Sequence, residues 1–237
     1  MTPNRITAAR IVGAFVAAAL FRFSGADARL GLAAVLVTML TMALDGLDGY
    51  VARSKGMAKA LGAQFDILGD RALENLYFTF FATAGVISVW VPVFFFVCGT
   101  LTDFVRSAAL RHGRSGFGKQ SMLESWWGRV LVASRASRVA YASLKCLCFV
   151  MLGVEVSCAH VTDSAAVAEW QPALHAWASG IVAATVIFCL LRAAPVLWEG
   201  QRFWSGKANE ERAREARPVL RRPPVPVGVS ATLGAAR

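Results

Sequence analysis

Charge is what this sequence is short of. Only 17% of its 237 residues are Asp, Glu, Lys or Arg, where a soluble domain carries about 25%. That shortfall excludes an ordinary water-facing shell, and it excludes a disordered chain as well. Thiol chemistry lacks a pattern: the five cysteines, Cys98, Cys146, Cys148, Cys158 and Cys189, include no CxxC pair. Four fall in apolar windows and read as small buried hydrophobes, with Cys158 alone in a polar loop, so no disulfide framework is expected. The histidines His112, His160 and His175 have no metal-ligand spacing and read as loop or interface residues. Lys and Arg are missing altogether from Val154 to Trp177, where Glu155, Asp163 and Glu169 stand. The apolar stretch between Arg10 and Arg22 has no small-residue cleavage site and is read as a retained first span.

What is present is apolar: 56% of residues, with a mean hydropathy of +0.51. These residues fall into windows of roughly 20, enough to cross a hydrocarbon core about 30 Å thick. Six are placed, over 6–23, 30–50, 67–90, 92–111, 129–153 and 173–197, with a tight turn at the Trp90–Pro92 link. The expected fold is all-α, a polytopic membrane protein built as a bundle of six transmembrane helices. The net charge of +10 sits between and after the windows, which argues for anionic headgroups rather than nucleic acid. Arg53, Lys55, Lys59 and Arg71 share one side with Arg106, Arg111, Arg114, Lys119 and Arg129, and with the tail from Arg202 to Arg222. The positive-inside rule then puts both termini in the cytoplasm. The expected organisation is a membrane domain over 1–205 and a basic, Pro-containing tail over 206–237, partly disordered.

The acidic residues that remain are clustered. Asp45 and Asp48 are three apart, Asp66 and Asp70 four apart, so each pair shares a helical face. If the second and third spans pack antiparallel, four carboxylates meet at one cytoplasmic site. Each costs roughly 2.5–3.5 kcal/mol within a span, and their repulsion adds to that. Two hard divalent cations would balance four negative charges; pairing with Arg53, Lys55, Lys59 and Arg71 is the structural alternative. Gly49 and Gly62 allow close backbone approach of a phosphate, and Arg53 could hold one as a charged fork. Carboxylates, metal, glycines and arginine together describe substitution at a pyrophosphate.

These residues resemble the signature of the CDP-alcohol phosphotransferase family, D-x2-D-G-x2-A-R-x8-G-x3-D-x3-D. Asp45, Asp48, Gly49, Ala52, Arg53, Gly62, Asp66 and Asp70 fill its eight fixed positions. Pro3-Asn4-Arg5-Ile6-Thr7, with Arg10, is similar to the P-N-x-[LI]-T element before the family's first span. The resemblance implies a six-span enzyme that moves a substituted phosphate from a CDP-alcohol to a second alcohol and releases CMP. It further implies metal ligation (Mg2+ or Mn2+, two ions) by Asp45, Asp48, Asp66 and Asp70, with Asp70 the base toward the acceptor hydroxyl. Gly49 and Arg53 would hold the pyrophosphate, and Asn4 and Thr7 would close over the nucleotide. Lys59 stands where the family usually has Ser or Thr as a nucleotide contact. A homodimer is expected by analogy alone.

The acceptor side is read from three arginines. The stretch Asp103–Arg111 resembles the Y-[IV]-[KR]-A-R-A-E element of branches with phosphorylated acceptors, with Arg106 at the basic position. Ser134-Arg135-Ala136-Ser137-Arg138 resembles E-R-x-[DE]-R of the inositol-phosphate branch, with serine at both acidic positions. Buried arginines need an anion, either a carboxylate such as Asp103 or Glu124 or a substrate phosphate. The expectation is CDP-diacylglycerol as donor and glycerol 3-phosphate as acceptor, ahead of inositol phosphate or another alcohol. A divalent-metal transporter would place acids near mid-span on several helices, and a non-catalytic relative would have lost aspartates; neither pattern is seen.

Overall fold

The structure is a computed structural model that describes residues 3–25, 27–54, 60–114, 121–159 and 165–205. The described residues form seven α-helices and no strand: α1 (Pro3–Phe23), α2 (Ala28–Ser54), α3 (Ala60–Thr83), α4 (Trp90–Arg111), α5 (Trp126–Gly128), α6 (Arg135–Ala159) and α7 (Ala165–Trp204). A π turn, Arg129–Ala133, joins α5 to α6. Four described segments are long and apolar enough to cross a membrane: Arg5–Phe23, Trp90–Arg111, Arg135–Ala159 and Glu169–Phe203. α2 contributes a shorter apolar stretch, Ala28–Leu44. α3 carries Asp66, Asp70, Arg71 and Glu74 within its first 15 residues, which leaves it below the same measure. The count of six spans is therefore not reached on the described residues.

Three details differ from the sequence expectation. The turn before α4 is residues 84–89, and Trp90–Pro92 form the helix's first turn, where a proline has no helical N–H to lose. The turn is set by Gly85 at φ 80°: Val86 N–H donates to Phe81 O and Gly85 N–H to Ala82 O, a Schellman closure. The fifth window is broken at Ser134, which is extended (φ −66°, ψ 143°); its hydroxyl accepts from Ser137 N–H and caps α6. Cys158 lies in the last turn of α6, half-buried, and not in a loop.

An aromatic core holds the helices together. Phe21 of α1, Tyr77, Phe78 and Phe81 of α3, Phe95 of α4 and Phe149 of α6 are all fully buried. Phe78 and Phe95 stack at 4.2 Å between centroids, and Tyr77 lies 4.9 Å from Phe149. Such pairs add about 0.5–1.5 kcal/mol each beyond area burial. A smaller cluster of Val105, Ala109, Met122, Leu123, Val132, Val196 and Phe203 closes the C-terminal ends of α4 and α7. None of the six tryptophans whose side chains are described joins either core. Trp90, Trp170 and Trp177 are exposed at one end of the bundle; Trp126, Trp127 and Trp198 are exposed at the other. The 21 residues from Trp177 to Trp198 span about 32 Å of helix, the thickness of a hydrocarbon core.

Candidate active site

Because the long helices alternate in direction, one end of the bundle collects the N-terminal turns of α1, α3 and α6 and the C-terminal turns of α4 and α7. Arg10 of α1 is buried there, and its guanidinium spans Asp66 and Asp70 of the signature. Nη2 donates to Asp70 Oδ1 at 2.8 Å, and Nη1 lies 3.5 Å from Asp66 Oδ1. The carboxylates themselves stay open, 43% and 44% exposed. Thr7, one turn before Arg10, is buried against Gly69 of α3. A Cβ at Gly69 would collide with the Thr7 methyl, so the glycine sets how closely α1 and α3 approach beside the aspartates.

Asp70 also forms part of the wall of a cavity of about 300 Å³. Its other charged walls are Arg71 and Glu74 of α3, Asp103 and Arg106 of α4, Arg138 and Lys145 of α6, and Arg192 of α7. Arg71 organises it: Nε donates to Asp103 Oδ2 at 2.8 Å and Nη1 to Glu74 Oε2 at 2.8 Å. Its guanidinium rests on Gly99, where a Cβ would sit 2.8 Å from Nη1. Lys145 Nζ lies 3.5 Å from the other Glu74 oxygen, and Arg106 Nη1 3.6 Å from Asp103. Arg192 instead donates to neutral groups, Leu131 O and Ser137 Oγ, both at 2.6 Å. Five cationic side chains thus face three carboxylates, and an anion carrying two charges would level the difference.

The sequence-expected residues divide by place. Asp66 and Asp70 are together; Asp70, Arg106 and Arg138 line one cavity. Arg135 is exposed in the first turn of α6, outside the cavity lining. Asn4, Asp45, Asp48, Gly49 and Arg53 are described only as helical backbone of α1 and α2, and Lys59 lies outside the described residues. Among the described residues no three metal-ligating side chains converge. The acids foreseen as partners of Arg135 and Arg138 are engaged elsewhere: Asp103 with Arg71 and Arg106, Glu124 with Arg202 at 2.6 Å. Arg71 pairs with Asp103 and Glu74 rather than with the signature aspartates. Sequence reasoning missed Glu74, Lys145 and Arg192 as site residues. Each is an ionisable group inside an apolar window, and that feature by itself marks a functional position.

Fold and site define a helical membrane protein with paired aspartates and a cationic cavity at one end of its bundle. The family model for CDP-alcohol phosphatidyltransferase matches residues 1–179, and the chain belongs to that family. Its members transfer a phosphatidyl group from a CDP-alcohol, so the chain is assigned as a transferase. No curated protein matches the sequence.

Proposed function

We propose that this chain transfers the phosphatidyl group of CDP-diacylglycerol to glycerol 3-phosphate, releasing CMP, in phospholipid synthesis. The observation that carries the acceptor half is that Asp70, fourth aspartate of the signature, lines the cavity in which cations outnumber carboxylates. A phosphate monoester fits that imbalance, and its charge-assisted hydrogen bonds are worth roughly 1.5–3 kcal/mol each. Arg106 and Arg138, joined by Arg71, Lys145 and Arg192, take the acceptor phosphate; Arg135, three residues before Arg138, has the same role from an exposed position.

The chemistry then follows from the side chains. Arg10 holds Asp70 by Oδ1, which orients the carboxylate while its other oxygen takes the proton of the acceptor hydroxyl. The acceptor oxygen attacks the phosphorus that bears diacylglycerol, the P–O bond to CMP breaks, and CMP leaves with the bonding electrons. Asn4, Thr7, Gly49, Arg53 and Lys59 hold the CDP half. Asp45, Asp48, Asp66 and Asp70 are hard oxygen donors in a set that suits two Mg2+ or Mn2+ ions, and the half-exposed carboxylates of Asp66 and Asp70 agree with that. Such ions would neutralise charge on the diphosphate.

In the membrane we place six spans, with α2 and α3 completing the set and residues 206–237 as a cytoplasmic tail. The site and both termini face the cytoplasm, in a bacterial inner membrane. Single cysteines at Arg114 and Glu169 should label from the cytoplasmic and the opposite side respectively; the reverse would overturn the orientation. The function is tested with purified protein, CDP-diacylglycerol and a panel of glycerol 3-phosphate, inositol phosphate, serine and choline. CMP release is expected with glycerol 3-phosphate, lost on chelation and restored by magnesium. Efficient transfer to an uncharged alcohol would return the cavity's arginines to a structural role.

A further inference from the structure

Two of the cysteines meet. Cys98 of α4 and Cys189 of α7 are free thiols, and Cys189 Sγ–H points to Cys98 Sγ at 3.8 Å. They sit 91 positions apart in sequence on neighbouring helices. Both are buried, and both contribute to the wall of the polar cavity. The helices also touch further along, where Gly200 lies against Val105 with no room for a Cβ. A disulfide needs its sulfurs at about 2.05 Å, a closure within reach of side-chain rotation when the two backbones already run side by side. The cavity gives small polar reagents the access that a sealed core would deny.

We infer that Cys98 and Cys189 form an oxidisable dithiol, a modification site that a peroxide-class oxidant converts to a disulfide between α4 and α7. With hydrogen peroxide, one sulfur attacks a peroxide oxygen, breaking the O–O bond and leaving a sulfenic acid and one water. The second sulfur displaces the sulfenic hydroxyl as a second water and closes the S–S bond. Both thiol hydrogens end in water, and two electrons pass from sulfur to oxygen.

The cross-link acts on the groups beside it. Gly99, next to Cys98, carries the Arg71 guanidinium, and Arg192 lies three residues from Cys189 on the same wall. Drawing the sulfurs together fixes the spacing between the Arg71–Asp103 pair and Arg192. This effect on turnover rests on the acceptor reading of the cavity; the thiol chemistry does not. A displacement near 1 Å at such a site is enough for a large loss.

The test uses the full-length protein in lipid nanodiscs, treated with hydrogen peroxide, capped with N-ethylmaleimide and digested for mass spectrometry. A linked Cys98–Cys189 peptide is expected, absent from Cys98→Ser and Cys189→Ser and removed by dithiothreitol. Oxidised wild type should show an acceptor KM raised about tenfold, reversibly, with a smaller change for the CDP-linked donor. Each serine variant, compared with its own untreated rate, should be insensitive to peroxide. Recovery of both cysteines as maleimide adducts after peroxide would overturn the dithiol. A linked peptide with an unchanged KM would overturn its action on the cavity. A chain that transfers to no acceptor at all would overturn the functional reading and leave the thiol chemistry to be decided by the linked peptide.

Discussion

Glu74 and Glu155 are the same side chain at nearly the same burial, 2% and 5% exposed, one in the cavity wall and the other near the far end of α6. Their company differs. Glu74 sits between Arg71 and Lys145 in the cavity wall: Oε2 accepts from Arg71, and Oε1, which has no hydrogen bond among the described residues, lies 3.5 Å from Lys145 Nζ as an ion pair. Glu155 has His175 on Oε1 at 2.6 Å, while its Oε2 is buried without a hydrogen-bond partner among the described residues. A histidine carries charge only when protonated; arginine and lysine are cations at all physiological pH. The cavity is therefore built on permanent charge and is tied across three helices. The other end sets its carboxylate against a titratable imidazole, and the described pair there joins only two helices.

Replacing carboxylates by amides at the two ends probes this contrast. The largest loss is expected for Asp70→Asn, with CMP release falling by roughly 10²–10⁴-fold, the usual weight of a general base, while Asp66 remains 3.5 Å from Arg10 to hold its charge. Substantial turnover in that variant would remove Asp70 from the chemistry. Glu74→Gln leaves Arg71 and Lys145 facing a neutral group, and a broken buried pair costs about 3–5 kcal/mol. Its midpoint in denaturant should drop accordingly; a wild-type midpoint would mean the cations find other partners. Arg138→Ala removes a charge-assisted hydrogen bond to the acceptor phosphate, so the acceptor KM should rise about tenfold or more and the donor KM little. Equal effects on both substrates would make Arg138 structural. Glu155→Gln should be the mildest, within about 1 kcal/mol in stability and neutral in turnover, because its described partner is His175, which an amide can still meet by a hydrogen bond, and no permanent cation is left unpaired. A loss matching Glu74→Gln would erase the distinction between the two ends.

Some of this is legible in the sequence and some is not, for physical reasons. Apolar windows near 20 residues locate α1, α2 and α4 within four positions, because span length is set by the membrane, but they miss the ends of α3, α6 and α7 by six to eight, where polar turns continue the helix or interrupt the window. Asp66 and Asp70 share a face because helical spacing is local. Glu74, Lys145 and Arg192 come from three different helices, and only packing brings them to one cavity. The serines at 134 and 137 read as missing acids. Their roles are local: one caps α6, and the other receives Arg192 while donating to Leu131 O. Arg10 reads in the sequence only as part of a terminal element, yet it bridges the two aspartates across a helix pair that no spacing rule encodes.

The tryptophans have a practical consequence for anyone who studies this molecule with light. The aromatic core is made of phenylalanine and tyrosine, while the six described indoles stand 42–76% exposed in two belts. The emission of these six therefore reports the boundary and not the interior. Brominated acyl chains should quench it according to bromine depth, so the protein acts as its own optical ruler for bilayer thickness. Melting of the phenylalanine-rich centre should leave that emission nearly silent until the helices leave the lipid.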